Sequence, residues 1–259
     1  MDVLFVLGIA TGITTALFGF GGGFVTVPLL YVLLSQDGSN AMHSAVATST
    51  CVMIFSALMA SWRHHRHGSL PWQTVRPLVL PLAIGAALGA LLSAQLDAAL
   101  LRHLFIGYLV LTLADNLLRK GFLQPQQATL QPLSASANAV AGSVIGVIAA
   151  LLGVGGSVMT VPLMRRRGAS MTTATALANP LTLPVAVAGG AVYLLLPAVT
   201  TTSAGQVGLV HVPAALTLML GAWLGIRLAA PLIGRIPDAV HAHAYLALLT
   251  MVLLVMVML

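Results

Sequence analysis

Charge is what this sequence has least of. Its 259 residues include eleven Lys and Arg and five Asp and Glu, 6% of the chain, where a soluble domain carries about a quarter. So few ionised side chains cannot cover a water-facing surface, which excludes a soluble enzyme, a nucleic-acid binder and a disordered chain. The net charge of +6 comes from residues at the ends of apolar runs, not from one basic patch. A single cysteine, Cys51, lies inside an apolar run, so no intramolecular disulfide can form. The N-terminus lacks a basic n-region and a small-residue cleavage site, so it is not expected to be a removable signal peptide. There is no P-loop, no HExxH, no grouped Ser/His/Asp set and no acidic pair for a metal. An enzyme is therefore not expected, nor a cofactor or a metal centre.

What the chain has in abundance is apolar sequence, 59% of residues. A membrane span needs about 20 such residues, and the runs 44–62, 77–96, 102–118, 170–196, 209–226 and 239–258 read as six full crossings. The stretches 3–34 and 136–164 are each too long for one helix across the hydrocarbon and too short for two. Both hold glycines in the middle, Gly19-Phe20-Gly21-Gly22-Gly23 and Gly153-Val154-Gly155-Gly156-Ser157, where a helix breaks. Each reads as a re-entrant hairpin. With the hairpins returning to their own side, ten of the eleven Lys and Arg fall on one side of the membrane and only Arg102 on the other. The positive-inside rule makes that side the cytoplasm and puts both termini outside. Single spans in place of the hairpins would flip Arg165-Arg166-Arg167 away from the other basic loops.

Residues 12–30 (GITTALFGFGGGFVTVPLL) and 146–164 (GVIAALLGVGGSVMTVPLM) are identical at ten of nineteen positions. The match continues from Gly85–Gly89 to Gly221–Gly225 and from Asp97-Ala98 to Asp238-Ala239, so the halves are repeats. The expected fold is an all-α polytopic membrane protein of two inverted repeats, 1–123 and 136–259, each a hairpin plus three helices. A polar linker at 124–135 joins them. The first repeat starts outside and the second inside, an arrangement found in many secondary transporters.

In hydrocarbon, a broken helix is tolerated only where its freed backbone groups face protein or a wet cavity. The free N–H groups from Gly21 to Phe24 and from Gly155 to Val158, each with a positive helix end behind it, would form an anion site. The hydroxyls of Thr26, Ser157 and Thr160 would add donors. Gly19, Gly23, Gly153 and Gly156 belong to the same turns, while Thr48, Ser49 and Asn179 would line the site or, alternatively, bond local carbonyls near a kink. For Gly85, Gly89, Gly221 and Gly225 the expected role is close helix packing. Asp115 is the one acid inside a span, which suggests proton coupling or an interfacial pair with Arg119. His64, His65 and His67 read as part of a solvated basic loop, with Trp62 and Trp72 as interface anchors, and His241 and His243 share no ligand face.

At the two glycine turns, at Val27-Pro28 and Val161-Pro162 and at Ala47-Thr48-Ser49, the sequence resembles the sulfite exporter TauE/SafE family of membrane transporters. The resemblance extends over nearly the whole chain. It implies export or import of a small sulfur oxyanion, sulfite or an organosulfonate, with substrate contacts at the matched turns. A bacterial inner-membrane location goes with it. The second repeat departs from the first at Ser157 in place of Gly23 and at Leu177-Ala178 in place of Thr48-Ser49. Expected partners are the small anion and the lipid bilayer, with homo-oligomerisation open and no nucleic acid. Export would run down an interior-negative potential unaided, whereas a proton- or sodium-coupled importer of a sulfur oxyanion or carboxylate is the alternative. A non-transport membrane assembly partner is a further one.

Overall fold

The computed structural model describes residues 2–34, 41–66, 72–118, 122–123, 133–196 and 205–258. His67, Arg119, Lys120 and the linker stretch 124–132 lie outside them. Ten α-helices account for nearly all of the described chain: α1 (Asp2–Phe18), α2 (Gly23–Leu34), α3 (Ala41–Arg66), α4 (Trp72–Ser93), α5 (Ala98–Leu118), α6 (Ala135–Leu152), α7 (Ser157–Arg166), α8 (Met171–Leu195), α9 (Val212–Ala229) and α10 (Asp238–Met258). A 3-10 turn at Ala230–Leu232 extends α9. A short antiparallel ribbon, β1 (Gln206–Val207) and β2 (Val210–His211), precedes it. Seven helices are long and apolar enough to cross a membrane, so the protein is an all-α, multi-pass membrane protein.

The seventh such helix is α6, where the sequence reading expected only half a hairpin. The break at 153–156 is off-centre. It leaves 18 residues before it in α6 and 10 after it in α7, and 18 residues rise about 27 Å. Ser134 starts α6 by accepting the N–H of Ala137, and Ser170 starts α8 in the same way from Thr173, supplying acceptors for N–H groups that a first turn leaves open.

Both breaks repeat one backbone conformation. Gly19, Gly21 and Gly22 have φ of 72°, 63° and 95°, and their counterparts Gly153, Gly155 and Gly156 have 70°, 73° and 76°. This left-handed region carries little penalty only for glycine, which is why the glycine spacing recurs where the surrounding apolar residues drift. Gly153 closes α6 with its N–H on the Ala149 and Ala150 carbonyls, and Val154 N–H reaches Ala149 as well, a Schellman-type ending.

Four of the helices pack in corresponding pairs between the repeats. Helix α1 lies along α9, and α6 lies along α4. Backbone meets backbone at glycines: Gly8 and Gly12 against Leu218, Gly221 and Ala222 in one pair, Gly85, Gly89 and Gly146 against Ser143, Val147 and Leu82 in the other. In both pairs the residue numbers rise together, so each pair is parallel. The glycines thus serve close packing, the role small residues take between membrane helices. Helix α2 runs antiparallel to α3, with Thr26 opposite Ser49 and Gly21 opposite Ser56. The long helices α3 and α8 pack on one another and are the most deeply buried of the seven membrane-crossing helices.

Arg165 ties one end of this assembly together. Its side chain is fully buried, donates to the Phe122 carbonyl at 2.8 Å and to the Ala169 carbonyl at 3.2 Å, and forms an ion pair with Asp238 at 2.9 Å. Asp238 also accepts the Met171 N–H at 2.6 Å. One side chain therefore fixes the end of α7, the starts of α8 and α10, and the segment after α5. One turn into α10, His241 bonds the Leu17 carbonyl at the end of α1, at 2.7 Å.

Candidate functional site

The two glycine turns meet in the protein interior. A Cβ on Gly23 would collide with the Gly153 carbonyl and with Met53 Sδ, and one on Gly155 would meet Met53 Sδ and Thr182. Each turn also touches the long helix of the opposite repeat: Gly19 packs on Thr175 and Ala178 of α8, and Gly153 on Val46 of α3. Gly19, Gly21, Gly22, Gly23, Phe24, Thr26, Ser49, Gly153, Gly155, Gly156, Ser157 and Thr160 are all buried there. These residues come from three helices, α2, α3 and α7, and from the two turns.

The carbonyls that the turns leave free are met by hydroxyls. Ser56 donates to the Gly21 carbonyl at 2.5 Å and Thr182 to the Gly155 carbonyl at 2.8 Å. Thr26 donates to the Gly22 carbonyl at 2.6 Å and lies 3.0 Å from Ser49, whose hydroxyl faces the Gly23 and Gly153 carbonyls at 3.3 and 3.2 Å. Proline shapes the same region. Pro162 takes away the N–H that would bond the Val158 carbonyl, and Tyr245 donates its hydroxyl there instead, at 3.3 Å. Burying these backbone acceptors without partners would cost several kcal/mol in hydrocarbon. Thr160 spends its hydroxyl on the Ser157 carbonyl at 3.4 Å, so of the three hydroxyls expected to face a ligand, two are engaged within the turns.

The third is not. Ser157 is wholly buried at the first position of α7, and its hydroxyl has no hydrogen-bond partner among the described residues. Two more buried polar atoms without partners lie close by: Thr11 Oγ1, on a residue that packs against Gly22, and Asn179 Oδ1. Asn179 donates its amide nitrogen to the Thr15 carbonyl in the last turn of α1, at 3.4 Å, the same carbonyl that accepts the Gly19 N–H. In native structures such groups are few and each calls for an explanation. The three sit around the two turns.

Two expected residues stand elsewhere. Thr48 accepts the backbone N–H of His211 at 2.9 Å and so anchors the β1–β2 ribbon. Asp115 forms an ion pair with Arg166 across α5 and α7, away from the turns at the polar end of a groove whose lining also includes Ile145 and Val158. Its other expected partner, Arg119, lies outside the described residues. Ser56, Met53 and Thr182 escaped the sequence reading. Their one signal was spacing, since Ser49, Met53 and Ser56 recur at four and then three residues and share a face of α3. Among the described residues, no three His, Cys, Asp or Glu side chains gather as a metal would require.

Comparison with known proteins matches part of the chain to two relatives and nearly all of it to a family. A probable membrane transporter protein of Haemophilus influenzae is 37% identical over 76 residues, 28% of this chain and 29% of the relative. A probable membrane transporter protein of Methanocaldococcus jannaschii is 30% identical over 74 residues, 28% of each. The matched stretches thus span less than a third of either relative's length. The family described as sulfite exporter TauE/SafE matches residues 4–258. With a match from end to end, a multi-pass helical architecture and the doubled glycine turn at its centre, the chain belongs to the sulfite exporter TauE/SafE family.

Proposed function

We propose that the protein is a secondary transporter of a small sulfur oxyanion, sulfite or an organosulfonate, held between the glycine turns and released by alternating access. The observation that carries this reading is Ser157. A buried hydroxyl without a partner stands at the positive end of α7, beside two glycines that bare the backbone. A first turn of helix has N–H groups with no intrahelical acceptor, and such an end favours an oxyanion. Ser157 Oγ–H would add one more donor, and Thr11 and Asn179 further polar contacts from the other side. No Lys or Arg is needed at this depth, where its burial would be costly.

The pairing of α1 with α9 and of α6 with α4, together with the antiparallel α2 and α3, supports repeats inverted about an axis in the membrane plane. With the basic ends inside, both termini lie outside. Export is the favoured direction, because an interior-negative potential drives an anion outward with about 2.3 kcal/mol per charge per 100 mV. Such export needs no coupling ion, and Asp115, paired with Arg166 away from the turns, is expected to be dispensable for anion binding.

The test is thermal stabilisation of the purified protein by sulfite, thiosulfate, a short sulfonate, sulfate, a carboxylate and chloride. A ligand that binds the folded state raises stability with its concentration over its Kd. One sulfur oxyanion should give a saturating shift, and Ser157→Ala should weaken it about tenfold. No shift with any anion, or an unchanged response in Ser157→Ala, overturns the reading. Substituting the glycines is a poorer test than it looks from sequence. A side chain on Gly22 would strike Ser56 at 2.8 Å and one on Gly156 would strike Ile145 at 3.0 Å, both at positive φ, so folding would suffer along with binding.

A further inference from the structure

We infer that the groove between α5, α6 and α7 is a binding site for a zwitterionic aminophospholipid, its head over the Asp115–Arg166 pair and one acyl chain lying along α7. The groove has a volume of about 520 Å³. Tyr108, Thr112 and Asp115 line it from α5 and Arg166 from α7. Positions 108, 112 and 115 fall at helical spacing on one face, so α5 turns a polar stripe towards a groove that is otherwise apolar, with Val144 and Leu163 on its walls.

The fold does not require that stripe. At the corresponding positions of the opposite repeat stand Leu249, Leu253 and Met256 for the three α5 residues and Val32 for Arg166, so all four polar residues belong to one side of the molecule alone. Polar and ionised residues in membrane helices are rare and mark sites.

Depth and charge identify the occupant. Asp115 lies three residues before the end of α5 at Leu118, about 4.5 Å along the axis, where lipid headgroups begin. From there the groove runs inward to Val158, next to Ser157. Asp115 and Arg166 both keep about a third of their side-chain surface exposed, at 34% and 31%. Together they present one negative and one positive group side by side. An aminophospholipid head is the complement, its phosphate on the guanidinium and its ammonium on the carboxylate, both by charge-assisted hydrogen bonds. A purely anionic head would leave Asp115 opposed by like charge, and a quaternary ammonium has no N–H to donate. The acyl chain fills the apolar part of the groove.

Native mass spectrometry of the delipidated full chain, offered lipids of identical acyl chains, tests this. Phosphatidylethanolamine should be retained about fivefold over phosphatidylcholine and phosphatidylglycerol. Retention should fall stepwise through the N-methyl and N,N-dimethyl lipids, a series that needs only the unaltered protein. Asp115→Asn should level ethanolamine and choline lipids, and Val144→Trp, at a lipid-facing position, should lower retention of all three by filling the groove. Equal retention of the three lipids, a lead for phosphatidylglycerol, or an ethanolamine preference that survives Asp115→Asn with Arg166→Gln each overturns the proposal.

Discussion

Removing the Ser157 hydroxyl takes nothing from the folded protein that the structure can show. A buried donor without a partner costs about 1–3 kcal/mol, so Ser157→Ala should melt at the temperature of the parent protein or slightly above it, read by scanning calorimetry or fluorescence in detergent. A fall of several degrees would mean that Ser157 has a structural partner. Gly23, its counterpart in the first repeat, has no such freedom, because the Gly153 carbonyl and Met53 occupy the space a side chain would take. The six positive-φ glycines were legible in the sequence because a left-handed turn admits little else and the pattern occurs twice. The hydroxyls that serve their carbonyls were not. Ser56 and Thr182 are 35 and 27 residues from the glycines they meet, and nothing local in the chain announces a partner at that distance.

Between helices, glycine does different work at different places. Gly89 on α4 lies directly against the Val147 backbone of α6, whereas a Cβ on Gly107 of α5 would meet nothing within 4 Å. Gly89→Ala should therefore push α4 from α6 and lower stability by about 1–3 kcal/mol. Gly107→Ala should leave it unchanged or raise it by about 0.5–1 kcal/mol through helix propensity. Both are read from the same thermal melts, and equal effects would contradict the packing described. The helices themselves were mostly legible from their apolar length. The exception was α6: the glycines marked the break at 153–156, but the reading of 136–164 as a hairpin broken at its middle missed that the 18 residues before it form a helix long enough to cross.

Across the whole molecule, Arg165 is the residue on which most elements converge. Removing one partner of a buried ion pair leaves the other uncompensated, at about 3–5 kcal/mol, so Arg165→Gln should lower the melting temperature well beyond any of the glycine changes. The crossed packing of the repeats makes a second expectation. Expressed separately, 1–123 and 124–259 should each fail to accumulate as folded protein, since each would lack the helix its neighbour lies on. Coexpressed, they should copurify. Folding of either alone would refute the crossed arrangement. The duplication was plain in the sequence, but its crossing was not, because the pairs α1–α9 and α4–α6 are contacts between positions far apart along the chain.

That crossing decides where the molecule can come apart. With α1 seated on α9 and α6 on α4, glycine against backbone, neither repeat has a perimeter of its own. Any body that moves as one piece must be assembled from both copies. Under the proposed alternating access, the fault line for opening is expected to cut across the duplication and not to follow it. Spin labels at the solvent ends of α1 and α9 should hold a constant separation through a transport cycle, and a changing distance is expected of a pair such as α1 and α5, neighbours in one repeat but strangers in motion.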